Sequence, residues 1–357
     1  MIKNMKVGLA LSGGGAIGAY EVGIVRALYE SGTNIDVIAG ASIGALNGAI
    51  ISSSSDLKQA TERLEEIWRV LGSDEILSVN HSAYLSFLLD LGLSFGLNPV
   101  LSKSGGVIYS MLKKASLLTG KNLYSDTSLL SDQPLLKLME QYLDTDALSK
   151  GVPLFVSVYP SDGGFTDIAN SIAAEFGIGD TKDSEFLHIQ SLPQDKQQEA
   201  LLASSALPVL FKPREINGKK YSDGGIGGWS KMQGNTPVTP LVEYGCNMVV
   251  VTHLSDGSMW DRHDFPDTIV LEIRPQRTLK RNEGFWGGAK DLLGFDTKNI
   301  NSWINQGYED TLIAIERIRR PLVARYELRS SENMLEISLA KNASVDSDLK
   351  DAMSRLK

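Results

Sequence analysis

The chain has 357 residues, enough to bury a sizeable core as one large α/β domain or two ordinary ones. Its 42% hydrophobic and 22% charged residues are the composition of a soluble globular protein, and a net charge of −8 argues against a nucleic-acid partner, which needs a basic face. The single cysteine, Cys246, excludes an internal disulfide framework; it precedes the apolar run Met248 to Val251 and reads as a buried, inert thiol.

Met1 to Lys6 leads into the first strand at once, which leaves no room for a cleavable signal peptide, and no stretch of about 20 apolar residues could span a bilayer. The expected location is therefore the cytoplasm. The first strand, Val7 to Leu11, ends in Ser12-Gly13-Gly14-Gly15. A helix follows with Val22, Val25, Leu28 and Tyr29 on one face, stopped by Ser31-Gly32. Strand two begins at Val37 and runs into Gly40-Ala41-Ser42-Ile43-Gly44 and a second helix. Ser52 to Ser55 and Asp56 read as a capping loop before a third, on which Leu57, Ala60, Leu64, Ile67, Trp68 and Leu71 recur at helical spacing. Strand, helix, strand, helix implies a mainly parallel sheet with right-handed crossovers. Later strands are expected over Leu154 to Tyr159, Met248 to His253 and Thr268 to Ile273, and a helix over Ile304 to Ile318.

Between them, an apolar insertion over about 76–122, centred on Tyr84 to Leu93, reads as core helix plus connector or as a lid over the site. Phe285-Trp286 with Leu292 to Phe295 is a second such segment. From about Tyr326 the chain reads as an extension, with a strand at Leu335 to Leu339 and a charged terminal helix. The domain division is thus 1–325 and 326–357.

The chemistry is concentrated in G-x-S-x-G. Strand, Gly40-x-Ser42-x-Gly44 and helix in that order describe a nucleophile elbow, whose turn is so tight that the flanking residues must be small. The helix start at Ile43 offers unpaired N–H groups and positive dipole potential to a developing oxyanion. Gly13, Gly14 and Gly15 at the end of strand one could likewise converge N–H groups on an anion, as an oxyanion hole or a phosphate cradle. Gly13-x-Gly15-x-x-Gly18 also matches a dinucleotide fingerprint, but that reading needs an acid at the end of strand two. Ala39-Gly40 stands there, and Asp36 is at the wrong end.

A serine needs a base. Of His81, His188, His253 and His263, His253 ends a strand and lies downstream of an acid, in the order Ser42, Asp223, His253 of an α/β-hydrolase triad. The elbow comes too early in the chain for that fold, so a structural histidine is the better reading. A carboxylate base could come from Tyr221-Ser222-Asp223-Gly224-Gly225 or from its decoy Ser161-Asp162-Gly163-Gly164; each alone reads most simply as a turn.

Together, the glycine loop, the early G-x-S-x-G and a distant Asp-Gly-Gly resemble the patatin-like phospholipase family. Ala203-Ser204-Ser205-Ala206-Leu207-Pro208-Val209-Leu210-Phe211 resembles its A-S-x-A-x-P-x-x-F segment, and Asn235-Thr236-Pro237-Val238 its N-x-P-V segment. The order selects Asp223 over Asp162. The resemblance implies a three-layer α/β/α fold and a dyad without histidine: Ser42 as nucleophile and Asp223 as base. Gly13, Gly14, Gly15 and Ile43 would form the oxyanion hole, supported by the turns of Gly40, Gly44, Gly224 and Gly225. It implies an acyl-ester lipid substrate, peripheral membrane contact and no metal or cofactor, and leaves open an activator or a homo-oligomer. Ile17 stands where the family usually has Arg or Lys, so a weak or inactive lipid- or partner-binding protein is the alternative.

Overall fold

The computed structural model describes residues 5–73, 133–175, 179–208, 211–228, 230–254, 260–279 and 297–355. The apolar segments 76–122 and 285–295 lie outside them. Two compact units are present, Met1–Thr311 and Leu312–Lys357.

The first unit is built on a sheet of β1 (Val7–Leu11), β2 (Val37–Ala41), β3 (Leu154–Pro160), β4 (Glu185–His188), β5 (Arg214–Ile216), β6 (Lys219–Asp223), β7 (Met248–Thr252) and β8 (Ile269–Ile273). The strand order is β5-β6-β3-β2-β1-β7-β8, with β4 also pairing β3. Pairings among β3, β2, β1, β7 and β8 are parallel, whereas β4, β5 and β6 join antiparallel. The sequence reason is visible: β1 and β2 are continuous small apolar runs, buried at every position, as a strand covered on both faces requires. Short, polar β4, β5 and β6 lack that signature and escape detection by apolar runs.

Helices cover both faces. On one, α1 (Ala19–Glu30), α2 (Ile43–Ser52) and α3 (Leu57–Gly72) pack together, and Gly48 of α2 rests against Ile38 and Leu11. Asp56 caps α3 by accepting the Gln59 N–H at 2.8 Å. On the other face Val238 and Leu241 close a core with Ala10, Val37, Ala39, Val249 and Val251. Cys246 is buried there, and its thiol is pushed up to about 11. Then come α4 (Gln133–Tyr142), α5 (Thr145–Lys150), α6 (Gly164–Glu175), α7 (Gln194–Ser204), α8 (Thr239–Glu243) and α9 (Thr297–Arg355). The start of α9 touches α1 backbone to backbone: a Cβ on Gly23 would fall 1.8 Å from the Ile304 carbonyl oxygen.

One expectation fails in the second unit. Leu335 to Leu339 is part of α9, not a strand. Its apolar residues alternate over only five positions, and the surrounding Glu-, Leu-, Arg- and Ala-rich sequence favours helix. No helix among the described residues is long and apolar enough to cross a membrane.

Candidate active site

Ser42 follows β2 and starts α2 with φ 52° and ψ −122°. A positive φ is unfavourable for a residue with a Cβ and costs about 1–3 kcal/mol, so the surroundings must hold it. They do so by close approach. A Cβ on Gly40 would lie 2.5 Å from the Gly44 carbonyl oxygen, and one on Gly44 would lie 2.5 Å from that of Leu11. The Ser42 N–H donates to the buried Ser204 hydroxyl at 2.9 Å. Ser204 was legible only as a letter in a motif; its contact with the elbow was not.

Asp223 reaches Ser42 through sheet register. Ala41 on β2 is opposite Ser157 on β3, and Val158, the next residue, is opposite Asp223 on β6. Neighbouring strands lie about 4.8 Å apart, so β2 and β6 are about 10 Å apart across β3, and Ser42 and Asp223 face one cavity over the end of the strand between them. The Asp223 N–H donates to Ala206 O at 2.9 Å, so the segment holding Ser42 also holds Asp223. Gly224 passes so close to β3 that a Cβ would sit 2.2 Å from the Ser157 carbonyl oxygen.

Asp223 is 2% exposed. Oδ1 accepts the Gly225 N–H at 2.8 Å, and Oδ2 is buried with no hydrogen-bond partner among the described residues. Burial raises its pKa to about 6, against smaller opposing effects of the Ser42 hydroxyl and the Gly225 amide. A carboxylate with that pKa is largely ionised at pH 7 and still basic enough to take a proton.

The glycine loop lines the same cavity. The Gly13 N–H is already spent on Asn235 O at 3.2 Å, so Gly13 is a spacer, not an oxyanion donor. A Cβ on it would press on Asn235 Oδ1 at 2.6 Å and on Ser42 Cβ at 3.2 Å. Among the described residues the Gly14, Gly15 and Ile43 amides have no acceptor. Ile17 makes an apolar prop: a Cβ on Gly14 would meet Leu254 at 2.5 Å and Ile17 at 3.0 Å.

Ser42, Asp223, Gly13, Gly14, Gly15, Ile43 and Gly225 open on one cavity of about 470 Å³. Its walls are Leu46, Ile50, Leu64, Ile67, Trp68, Leu71, Leu138, Met139 and Phe211, with Asn47 and Asn235 among the polar residues. His188, His253 and His263 do not line it. His253 is buried at the end of β7, its Nε2 3.2 Å from Glu272 Oε2, which fits a structural role. Asp162 does not line it either: it pairs with Lys182 in a half-exposed turn. His81 lies outside the described residues.

A family model described as Patatin-like phospholipase matches residues 9–242. Lysophospholipase nte1 of Aspergillus terreus is 44% identical over 70 residues, 18% of this chain and 5% of that protein. Neuropathy target esterase sws of Drosophila persimilis is 43% identical over 60 residues, 17% of this chain and 4% of that one. The chain thus matches about one-twentieth of the length of these curated relatives. Among solved structures, VipD from Legionella pneumophila aligns with a TM-score of 0.41 and 16% identity, over 88% of this chain and 67% of its own.

Proposed function

Because this chain belongs to the patatin-like phospholipase family, we propose that it is a serine lipid acyl hydrolase that releases fatty acids from phospholipid or related acyl esters. One observation carries the reading: a strained serine and a buried carboxylate with an unpartnered oxygen share an apolar cavity.

The Asp223 carboxylate takes the Ser42 proton as Oγ attacks the ester carbonyl. Amides of Gly14, Gly15 and Ile43 stabilise the oxyanion, each donor being worth about 10²- to 10³-fold in rate. Collapse expels the alcohol portion, protonated by Asp223, and leaves an acyl ester on Ser42. Water, deprotonated by the same carboxylate, then releases the fatty acid. The cavity walls take the acyl chain, at about 0.8 kcal/mol for each buried methylene. No step calls for a metal or a cofactor. The enzyme would work in the cytoplasm and meet its lipid at a membrane surface.

A weak or inactive binding protein is the second reading, because Ile17 carries no charge. The contacts of Ile17 and Leu254 with Gly14 speak for activity, since they brace the loop without a cation. The test is fatty-acid release from mixed phospholipid vesicles by the wild type, Ser42→Ala, Asp223→Ala and Asp162→Ala. Loss in the first two variants and retention in the third is expected. Full activity in Ser42→Ala would end the proposal.

A further inference from the structure

A second carboxyl lies beneath the site, and the mechanism above gives it no task. Glu21, on α1, is 0% exposed. The groups facing it are neutral: Asn47 from α2, Thr252 from β7 and the Ser12 amide after β1. Among the described residues no charged side chain pairs with it. A buried carboxyl without a cation is costly to keep unless something is gained from its position.

Its hydrogen bonds show what it holds. Oε2 accepts Asn47 Nδ2 at 2.9 Å, and the same Nδ2 donates to Gly18 O at 3.2 Å. Asn47 Oδ1 accepts the Trp68 indole N–H at 3.0 Å, and both Asn47 and Trp68 line the cavity. Oε1 accepts the Thr252 hydroxyl at 2.7 Å, while Thr252 Oγ1 accepts the Ser12 N–H at 3.3 Å. Ser12 and Gly18 bracket the glycine loop, and Gly18 rests against Ile43, where a Cβ would approach to 2.7 Å. One carboxyl therefore joins both ends of that loop to the helix that begins at the nucleophile.

We propose that Glu21 is a positioning residue: its carboxylate, by accepting from Asn47 and Thr252 together, holds the glycine loop in register with the Ser42 helix, and the site turns over fast only when Glu21 is ionised. The inference rests on the hydrolase reading above. The chemistry has a definite sign. Ionised Glu21 accepts both bonds. Protonated on Oε1, Glu21 must instead donate to Thr252 Oγ1, which then accepts from both Glu21 and the Ser12 N–H and must turn its own proton to another acceptor, so the anchor at the Ser12 end of the loop is rearranged. Burial raises its pKa to about 7, against the hydrogen bonds of Thr252, Asn47 and Ser12, which lower it. The switch between the two forms thus falls near neutral pH, above the ionisation of Asp223.

The experiment measures kcat and KM against pH on a soluble p-nitrophenyl acyl ester, for wild type, Glu21→Gln, Thr252→Val and Ser42→Ala. In the wild type, kcat/KM should rise through two ionisations, near 6 and near 7. Gln imitates the protonated acid, so Glu21→Gln should lose the upper step and show kcat at pH 8 lowered about 10- to 100-fold, with KM changed less than about twofold. Thr252→Val removes a bond that favours the carboxylate and should move the upper step to higher pH; it decides the matter if Glu21→Gln does not fold. An infrared titration of the Ser42→Ala protein should show a buried carboxyl ionising near pH 7 that the Glu21→Gln, Ser42→Ala double variant lacks. An unchanged upper step in Glu21→Gln, or an unmoved one in Thr252→Val, overturns the inference. Undiminished hydrolysis by Ser42→Ala, or no hydrolysis by the wild type together with no fluorophosphonate labelling of Ser42, overturns the hydrolase reading instead.

Discussion

Replacing Asp223 by Asn should make the protein inactive and more stable, and the gain should depend on pH in a calculable way. Asn has nearly the same shape, and its Oδ1 can still accept the Gly225 N–H, so the fold is kept. In the wild type, burial moves the Asp223 pKa from 3.8 to about 6. The unfolded chain releases this proton near pH 4, whereas the folded protein keeps it until about 6. Between those values folding takes up a proton, so wild-type stability falls as pH rises. At about 1.4 kcal/mol for each tenfold change in the acid equilibrium, the loss is about 3 kcal/mol once both states are ionised. The amide does not titrate. The stability of Asp223→Asn over wild type should therefore be roughly constant below pH 4, widen from 4 to 6 by about 3 kcal/mol and stay level above about 6.5. Urea unfolding of both proteins at half-unit intervals from pH 4 to 8 measures this, with hydrolysis recorded alongside. A difference that is flat across the range, or that narrows as pH rises, would refute the claim that the carboxylate is held at an energetic cost.

Four further outcomes are expected. Ser42→Gly, which relieves the positive φ, should abolish hydrolysis and raise unfolding stability by up to about 1 kcal/mol after the entropy of a new glycine is set against it; a destabilised variant would count against backbone strain. Ser204→Ala removes the acceptor of the Ser42 N–H and should cost about 1–3 kcal/mol in urea unfolding, with kcat reduced more than KM. Gly44→Ala drives a methyl toward the Leu11 carbonyl at 2.5 Å and should cost about 1–3 kcal/mol by the same assay, with near-complete loss of hydrolysis. Cys246, buried and with its thiol raised to about 11, should resist maleimide at pH 7 and react only as fast as the protein opens.

The elbow and the parallel core were legible because both are local. The apolar runs of β1 and β2 and the flanking small residues are set by covalent neighbours and close contacts within a few positions. Asp223 was harder. Its tetrapeptide is duplicated at Ser161 to Gly164, and only the order of distant segments separated the two, until geometry placed Asp162 against Lys182 and Asp223 in the cavity. The strand expected at Leu335 to Leu339 failed because five alternating residues say little without a partner edge.

By itself, the sequence determined which residues could carry the chemistry: a serine in a turn that admits only small neighbours, a glycine loop able to expose amides, and an aspartate in a motif that repeats. The tertiary structure decided what each does. It took the Gly13 amide for Asn235, set Ser204 under the elbow and tied Glu21 to both ends of the loop. Above all, it brought Asp223 beside Ser42 by the register of β2, β3 and β6 and removed water from around its carboxyl. Register and burial are sums over contacts between residues far apart in the chain, and a pKa follows from them, which is why no local pattern could have revealed it.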